Sequence, residues 1–366
     1  MSLFALGVVL VVLGGCLTVG NWRSFERGLV ATRLLVQMRK ETPLSPGQGL
    51  GEELWIEGPH PTIRARLYGP QRLKERGSII LAPGLHHLSI EEPRLVLFAR
   101  QLARLGYRVL TPELKELREY RVSALGVTEH QAATQYFSTA EKKVGLIGTS
   151  FAGALAIVAA QAPKTASRLR YVASIGGPIE LERTLRYLLT DRAIRPGGTT
   201  SERRAHPYGT LVLAVHYLEH FNLKADTPLV REWLFAKLKE DENRAKELSA
   251  RLQTQEAKRL FGGAEQEEYA ELRKRLLDIV SQDSEELQRL SPASVLPAID
   301  VPVLLLHGFR DDVVPREETE WGIFLLEKHG SQGEGLVTPL IDHVQLEEDI
   351  SLLDTYRLLQ VMSEML

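Results

Sequence analysis

The chain has 366 residues, and 45 Lys and Arg against 47 Asp and Glu leave a formal charge of −2. That near balance gives no electrostatic case for nucleic acid or a strongly anionic partner, and the single cysteine, Cys16, excludes an intramolecular disulfide, a thiolate zinc cluster and a CxxC redox pair. With 44% hydrophobic and 25% charged residues the composition is that of a globular protein with a sizeable core, and the length suits one enlarged domain or a domain with an insertion.

No charged side chain occurs from Met1 to Trp22, and Leu3 to Val19 is almost wholly apolar. The run is at the short end of the roughly 20 residues that span a bilayer, and Trp22 suits an interfacial position. Three readings compete: an uncleaved anchor, a cleaved signal peptide, and a lipoprotein signal, since Leu13-Gly14-Gly15-Cys16 resembles a lipobox. Both cleaved forms would normally carry a basic n-region, which is missing here. Residues 1–22 are therefore read as a transmembrane anchor. Arg23, Arg27, Arg33, Arg39 and Lys40 follow, against Glu26 and Glu41, so an uncleaved anchor would keep the rest on the cytoplasmic side.

Residues 23–51 read as a juxtamembrane segment: a basic amphipathic helix over Ser24 to Lys40, then a Pro/Gly linker from Thr42 to Gly51. Next come two short strands, Leu54 to Glu57 and Ile63 to Tyr68, joined at Gly58-Pro59. Ser78 to Ala82 is an apolar strand, Pro93 to Leu105 a helix stopped by Gly106, and Arg108 to Thr111 a strand. Val127 to Ala140 is a helix, Val144 to Ile147 a strand, Phe151 to Gln161 a helix and Tyr171 to Ile175 a strand. This alternation predicts a mostly parallel sheet flanked by helices, an α/β class, over 52–178. Residues 179–296 are almost entirely helical in pattern and too long for a bare loop, so they form a helical cap. The charges between Lys237 and Arg289 read as a solvated face. The core resumes over 297–366, with a strand through Val301 to Leu306, a helix at Trp321 to Lys328, a strand at Gly335 to Leu340 and a closing helix at Leu346 to Met365.

Gly148-Thr149-Ser150-Phe151-Ala152-Gly153 lies between an apolar strand and an Ala-rich helix. A nucleophile on a sharp strand-to-helix turn needs small neighbours, because the backbone there is crowded. The alternative is Ser150 as an ordinary helix N-cap. After the later strand comes His307-Gly308-Phe309-Arg310-Asp311-Asp312, placing an acid at a strand's carboxyl end, where open sheets bind ligands. Asp311 is the candidate, Asp312 its alternative. Past the last strand stands His343, placed to act as a base on the serine, or else an ordinary surface histidine with Asp342 as a local partner.

Ser150, Asp311 and His343, in that order and each past a strand, resemble the triad of the α/β-hydrolase superfamily. The chain is similar to its lysophospholipase, esterase and dienelactone-hydrolase branches over about Leu54 to Leu366, outside most of the cap. The resemblance implies a serine hydrolase acting on a small-molecule or lipid ester, with Ser150 as nucleophile, His343 as base and Asp311 as acid. It implies an oxyanion hole built from the backbone N–H groups of Phe151 and Leu85, the latter in Pro83-Gly84-Leu85-His86-His87, where the family often has His-Gly. It implies no cofactor. His86, His87, His307 and Asp311 show no metal motif, and no phosphate-binding glycine loop occurs. The second reading is a silent hydrolase-fold module that binds or scaffolds at the membrane. Oligomeric state is not encoded at this level.

Overall fold

The computed structural model describes residues 22–42, 44–59, 62–70, 73–262, 269–342, 345–346 and 352–366. The apolar run expected to be an anchor lies outside them, save Trp22. Among the described residues no helix is long and apolar enough to cross a membrane. The basic helix expected after that run is present as α1, Trp22–Lys40.

The sheet is built from β1 (Glu52–Glu57), β2 (Thr62–Tyr68), β3 (Gly77–Ala82), β4 (Tyr107–Pro112), β5 (Val144–Thr149), β6 (Leu169–Ile175), β9 (Val303–Gly308) and β10 (Gly333–Thr338). Their order is β1-β2-β4-β3-β5-β6-β9-β10. β2 runs antiparallel to both its neighbours, and every pair from β4 to β10 is parallel. Helices cross between the parallel strands: α2 (Pro93–Arg104), α4 (Ala124–Phe137), α5 (Phe151–Ala160) and α13 (Glu317–His329). This is the α/β-hydrolase arrangement, with a helical insertion after β6.

The central strands read as unbroken apolar runs because both faces are covered. Ile79, Leu81, Ala173, Leu304 and Leu306 point to one face, packed with Leu102 of α2, Leu34 of α1 and Leu358 of the closing helix α14 (Leu352–Met365). Their neighbours Ile80, Val172, Val303 and Leu305 point to the other, against Ala133 of α4, Ile157 of α5 and Leu326 of α13. The two-residue alternation of a strand sorts the side chains between layers.

The insertion carries helices α6 (Leu181–Thr190), α7 (Pro207–His216), α8 (Thr227–Leu238), α9 (Glu242–Ser249), α10 (Gln255–Phe261), α11 (Tyr269–Val280) and α12 (Ser284–Arg289). The charged stretch from Lys237 to Arg289 keeps its charges outward, while Leu248, Leu260, Leu272 and Leu276 are buried. The insertion is not wholly helical. An antiparallel hairpin, β7 (Arg192–Ile194) with β8 (Thr200–Glu202), interrupts it. Its strands are three residues long, and of the six residues only Ala193 is buried, too little to leave a period in the sequence. Two other boundaries move. α13 starts at Glu317 rather than Trp321, because its first turn buries carboxylates rather than apolar groups. Leu346 pairs with Ile341 in a short ribbon instead of opening the closing helix.

Helix α4 buries Glu129 fully. Its Oε1 accepts the Lys115 amide at 3.3 Å, at the start of the short helix α3 (Lys115–Arg118). Oε2 has no hydrogen-bond partner among the described residues. Burial pushes this carboxyl up to about 7 from 4.5. The folded chain therefore holds a proton that the unfolded chain releases, and stability falls as pH rises from about 4.5 to about 7. Glu129→Gln keeps the acceptor and removes the charge. It is expected to raise Tm at pH 8, by up to about 3 kcal/mol of stability, and to leave Tm unchanged at pH 4. Thermal melts at the two pH values check this, and an equal gain at both would point away from the charge.

Candidate active site

The site begins with topology. β3 lies between β4 and β5, so the chain leaves β3 outward for β4 and later returns past it to β5. α2, after β3, packs on one face, whereas α5, after β5, packs on the other. Loops that part in this way leave a crevice at the carboxyl ends of the strands. Ser150 follows β5 and Leu85 follows β3, so both stand at that crevice.

Ser150 has φ 52° and ψ −136°, a conformation rare for any residue but glycine. It precedes α5, yet its side chain makes no capping hydrogen bond. An N-cap residue normally has extended backbone and accepts a bond from the helix's first amides. Ser150 does neither, so the N-cap reading fails. Such strain costs about 1–3 kcal/mol and persists only where the surroundings enforce it. Here they do: the Ser150 amide donates to Ile175 O at 2.8 Å, and Ser150 O accepts from Gly153 N at 2.8 Å. The glycines are steric requirements. A Cβ on Gly148 would lie 2.5 Å from the backbone of Ala152 and Gly153, and one on Gly153 would lie 2.2 Å from Ser174 Oγ. Position 152 tolerates a methyl group, because the close helix–strand approach falls at Gly153 instead.

The loop after β3 passes against this turn. A Cβ on Gly84 would sit 2.9 Å from Ser150 Cβ and 3.0 Å from Thr149 O, so the Gly84-Leu85 peptide lies directly over the elbow. No backbone hydrogen bond of the described loops engages the Leu85 amide. Phe151 opens α5, and the first amides of a helix have no intrahelical acceptor. Two N–H donors with no hydrogen-bond acceptor among the described residues thus flank the serine. The Phe151 side chain is buried with the cap.

Asp311 follows β9, the strand beyond β6. It is 5% exposed, and its Oδ1 accepts the amides of Val313 and Val314 at 3.0 and 2.9 Å. His307 stands beneath it, fully buried. Its Nε2 lies 2.9 Å from Val314 O and 3.4 Å from Asp311 Oδ2, and its Nδ1 is 2.8 Å from Thr319 Oγ1. Nε2 must carry the proton to satisfy the carbonyl, so His307 is a tie within the acid loop. Gly176 and Gly177 link acid to nucleophile. A Cβ on Gly176 would lie 3.3 Å from Asp311 Oδ2, and one on Gly177 would lie 2.7 Å from Ser150 O. Asp312, the alternative acid, uses its carbonyl to accept bonds from His206 N and Tyr187 Oη of the cap.

Ser150, Phe151, Leu85 and Asp311 are thus gathered at one edge of the sheet. His343 lies outside the described residues, between the two short strands Ile341–Asp342 and Gln345–Leu346. His86 and His87 belong to the loop after β3 that passes over Ser150. His86 Nδ1 accepts the Leu88 amide at 3.2 Å, and His87 Nδ1 is 3.1 Å from Tyr120 Oη. Burial, followed by the positive field of His86, Lys239 and Arg118, brings His87 down to about 4. Among the described residues no cluster of three or more His, Cys, Asp or Glu is arranged to hold a metal. Sequence reasoning missed His307, Tyr120 and Tyr208 as supports of these loops.

No protein-family model matches the sequence, and no curated protein matches it. Solved structures do. An acylaminoacyl peptidase of Pyrococcus horikoshii matches 82% of this chain and 38% of its own, at 11% identity and a TM-score of 0.45. A puromycin-hydrolyzing peptidase of Mycobacterium tuberculosis matches 81% and 36%, at 14% identity and 0.46. Est1E of Butyrivibrio proteoclasticus matches 84% and 96%, at 13% identity and 0.45. The chain spans little more than a third of the length of these two peptidases. The hydrolase fold stands on the chain's own strand order and elbow.

Gly148→Ala puts a methyl group into backbone that cannot yield without unwinding the first turn of α5. It is expected to cost about 1–3 kcal/mol. Urea denaturation should show a lower midpoint with an unchanged m-value.

Proposed function

We propose that the chain is a serine hydrolase that transfers an acyl group from a carboxylic or lipid ester to water, with Ser150 as nucleophile, His343 as base and Asp311 as acid. The observation that carries this is Ser150 itself: a strained backbone, a side chain that caps nothing, and two amides beside it that have no acceptor among the described residues. A scaffold has no use for such strain at that position.

His343 takes the Ser150 proton as Oγ attacks the ester carbonyl. The carbonyl oxygen gains charge and receives the N–H groups of Phe151 and Leu85. Phe151 brings the positive end of the α5 dipole with it. Asp311, its carboxylate oriented by the Val313 and Val314 amides, holds the His343 tautomer and stabilises the imidazolium. His343 then protonates the leaving alcohol, and water activated in the same way releases the acid. No step needs a cofactor.

In this reading residues 1–22 tether the enzyme to a membrane. The apolar core of the cap and that tether together favour a lipid-like acyl chain. Activity rising with acyl length and with added vesicles is the expected result, and a preference for short soluble esters that ignores vesicles would remove the lipid.

A fluorophosphonate probe is expected to label the wild-type chain and not Ser150→Ala. Failure to label folded wild-type protein would favour the silent binding module. Asp311→Asn retains an acceptor for the two amides but loses the charge. On p-nitrophenyl esters it is expected to lower kcat by roughly three to four orders of magnitude with the fold intact. A loss under tenfold would move the acid to Asp312.

A further inference from the structure

The first turn of α7 in the cap touches both loops that flank the serine. Its N-cap, His206, donates its backbone N–H to Asp312 O at 2.8 Å, on the acid loop. Two residues on, Tyr208 Oη donates to Leu85 O at 2.9 Å, on the oxyanion loop. The His206 ring closes the turn by accepting the Tyr208 amide at 3.2 Å. One rigid helix start therefore spans the site from one loop to the other.

The oxyanion loop needs such support. Gly84 gives it no side chain of its own to pack, and its internal bonds, Ser89 N to His86 O and Leu88 N to His86 Nδ1, begin only beyond Leu85. The Leu85 donor belongs to the peptide before residue 85, and the Leu85 carbonyl to the peptide after it. Contact with the elbow fixes the first plane, and Tyr208 fixes the second. Tyr120 extends the support, with its hydroxyl 3.4 Å from the His87 amide and 3.1 Å from His87 Nδ1. Tyr120 is fully buried, at a φ of 61°, and its ring meets Tyr208 edge-on at 6.1 Å. Burial, with Tyr120 beside it, holds the Tyr208 hydroxyl protonated above the usual tyrosine range, so it stays a donor at any working pH.

We propose that Tyr208 is a positioning residue that aims the Leu85 amide at the oxyanion, and that the first turn of α7 braces the oxyanion loop against the acid loop. This rests on the serine hydrolase reading. An oxyanion donor acts through its place in the transition state rather than in substrate binding. A misplacement of about 1 Å is enough to cost two orders of magnitude.

Tyr208→Phe removes one oxygen and keeps the ring. On a short p-nitrophenyl ester it is expected to lower kcat roughly tenfold or more with KM changed less than twofold. Affinity for a boronic acid that mimics the tetrahedral intermediate should fall by the same factor. Amide exchange in residues 83–88 should quicken, while Tm stays close to wild type. General loosening would instead lower Tm and raise KM. Unchanged exchange in 83–88 overturns the brace. Faster exchange with unchanged kcat and boronate affinity overturns the positioning role. Wild-type protein that does not react with a fluorophosphonate overturns the hydrolase reading and the positioning role with it, and the exchange measurement still decides the brace.

Discussion

A side chain at residue 84 cannot coexist with a serine at residue 150. The space between them is narrower than a carbon–carbon contact, and on the other side of the elbow Gly148 and Gly153 are equally pressed. This crowding is the constraint from which the site follows. It brings the amide after Gly84 to the side of the serine, and it holds the serine in a backbone conformation that rejects an ordinary cap, so the first amide of α5 has no intrahelical acceptor and no serine cap. The strained turn survives because the ends of β5 and β6 grip it through Ser150 N and Ile175 O. The geometry around Ser150 is a property of backbone packing, with side chains added last.

The acid side is built by a different means. Its carboxylate is held by hydrogen bonds, two amides on Oδ1, above a buried histidine that ties β9 to Val314 and to Thr319 of α13. Both ring nitrogens of His307 have partners, the Val314 carbonyl and the Thr319 hydroxyl, so the buried ring leaves no polar atom unsatisfied. α13 supplies further polar anchors. Buried Glu318 accepts the amides of Ile179 and Glu180 and the guanidinium of Arg183, while Glu317 takes Arg203. The start of the cap and the segment after its hairpin are thereby fastened to the helix that follows the Asp311 loop.

Sequence patterning revealed what depends on local rules. The strands are legible because both faces of the sheet are apolar, and the elbow because small residues sit between a strand and a helix. The same rules explain the misses. Glu317 and Glu318 are polar groups in a buried turn, invisible to apolar periodicity, so α13 looked to start four residues later than it does. The hairpin β7–β8 buries one residue. Tyr208 meets Leu85 across 123 positions of chain, and His307 acts through both ring nitrogens on groups 7 and 12 residues away. No spacing rule reaches such contacts. His343 was singled out by its order after Ser150 and Asp311, and its place at the site remains part of the proposed reaction.

The cap shares one hydrophobic cluster with the elbow helix. Phe151 and Leu155 of α5 pack in the same cluster as Leu188, Leu211, Trp233 and Phe261. Swinging the whole cap away would expose both sides of that cluster at about 25 cal/mol per Å² of apolar surface. The insertion is in effect welded to the helix that follows Ser150. The hairpin β7–β8, with only Ala193 buried, is held instead by polar contacts to α13, Trp321 Nε1 donating to Ile194 O at 2.8 Å and Arg203 pairing with Glu317. Any opening above Ser150 is then a matter of local movement in single segments of the insertion, because the insertion as a whole cannot leave without unpacking the helix beneath it.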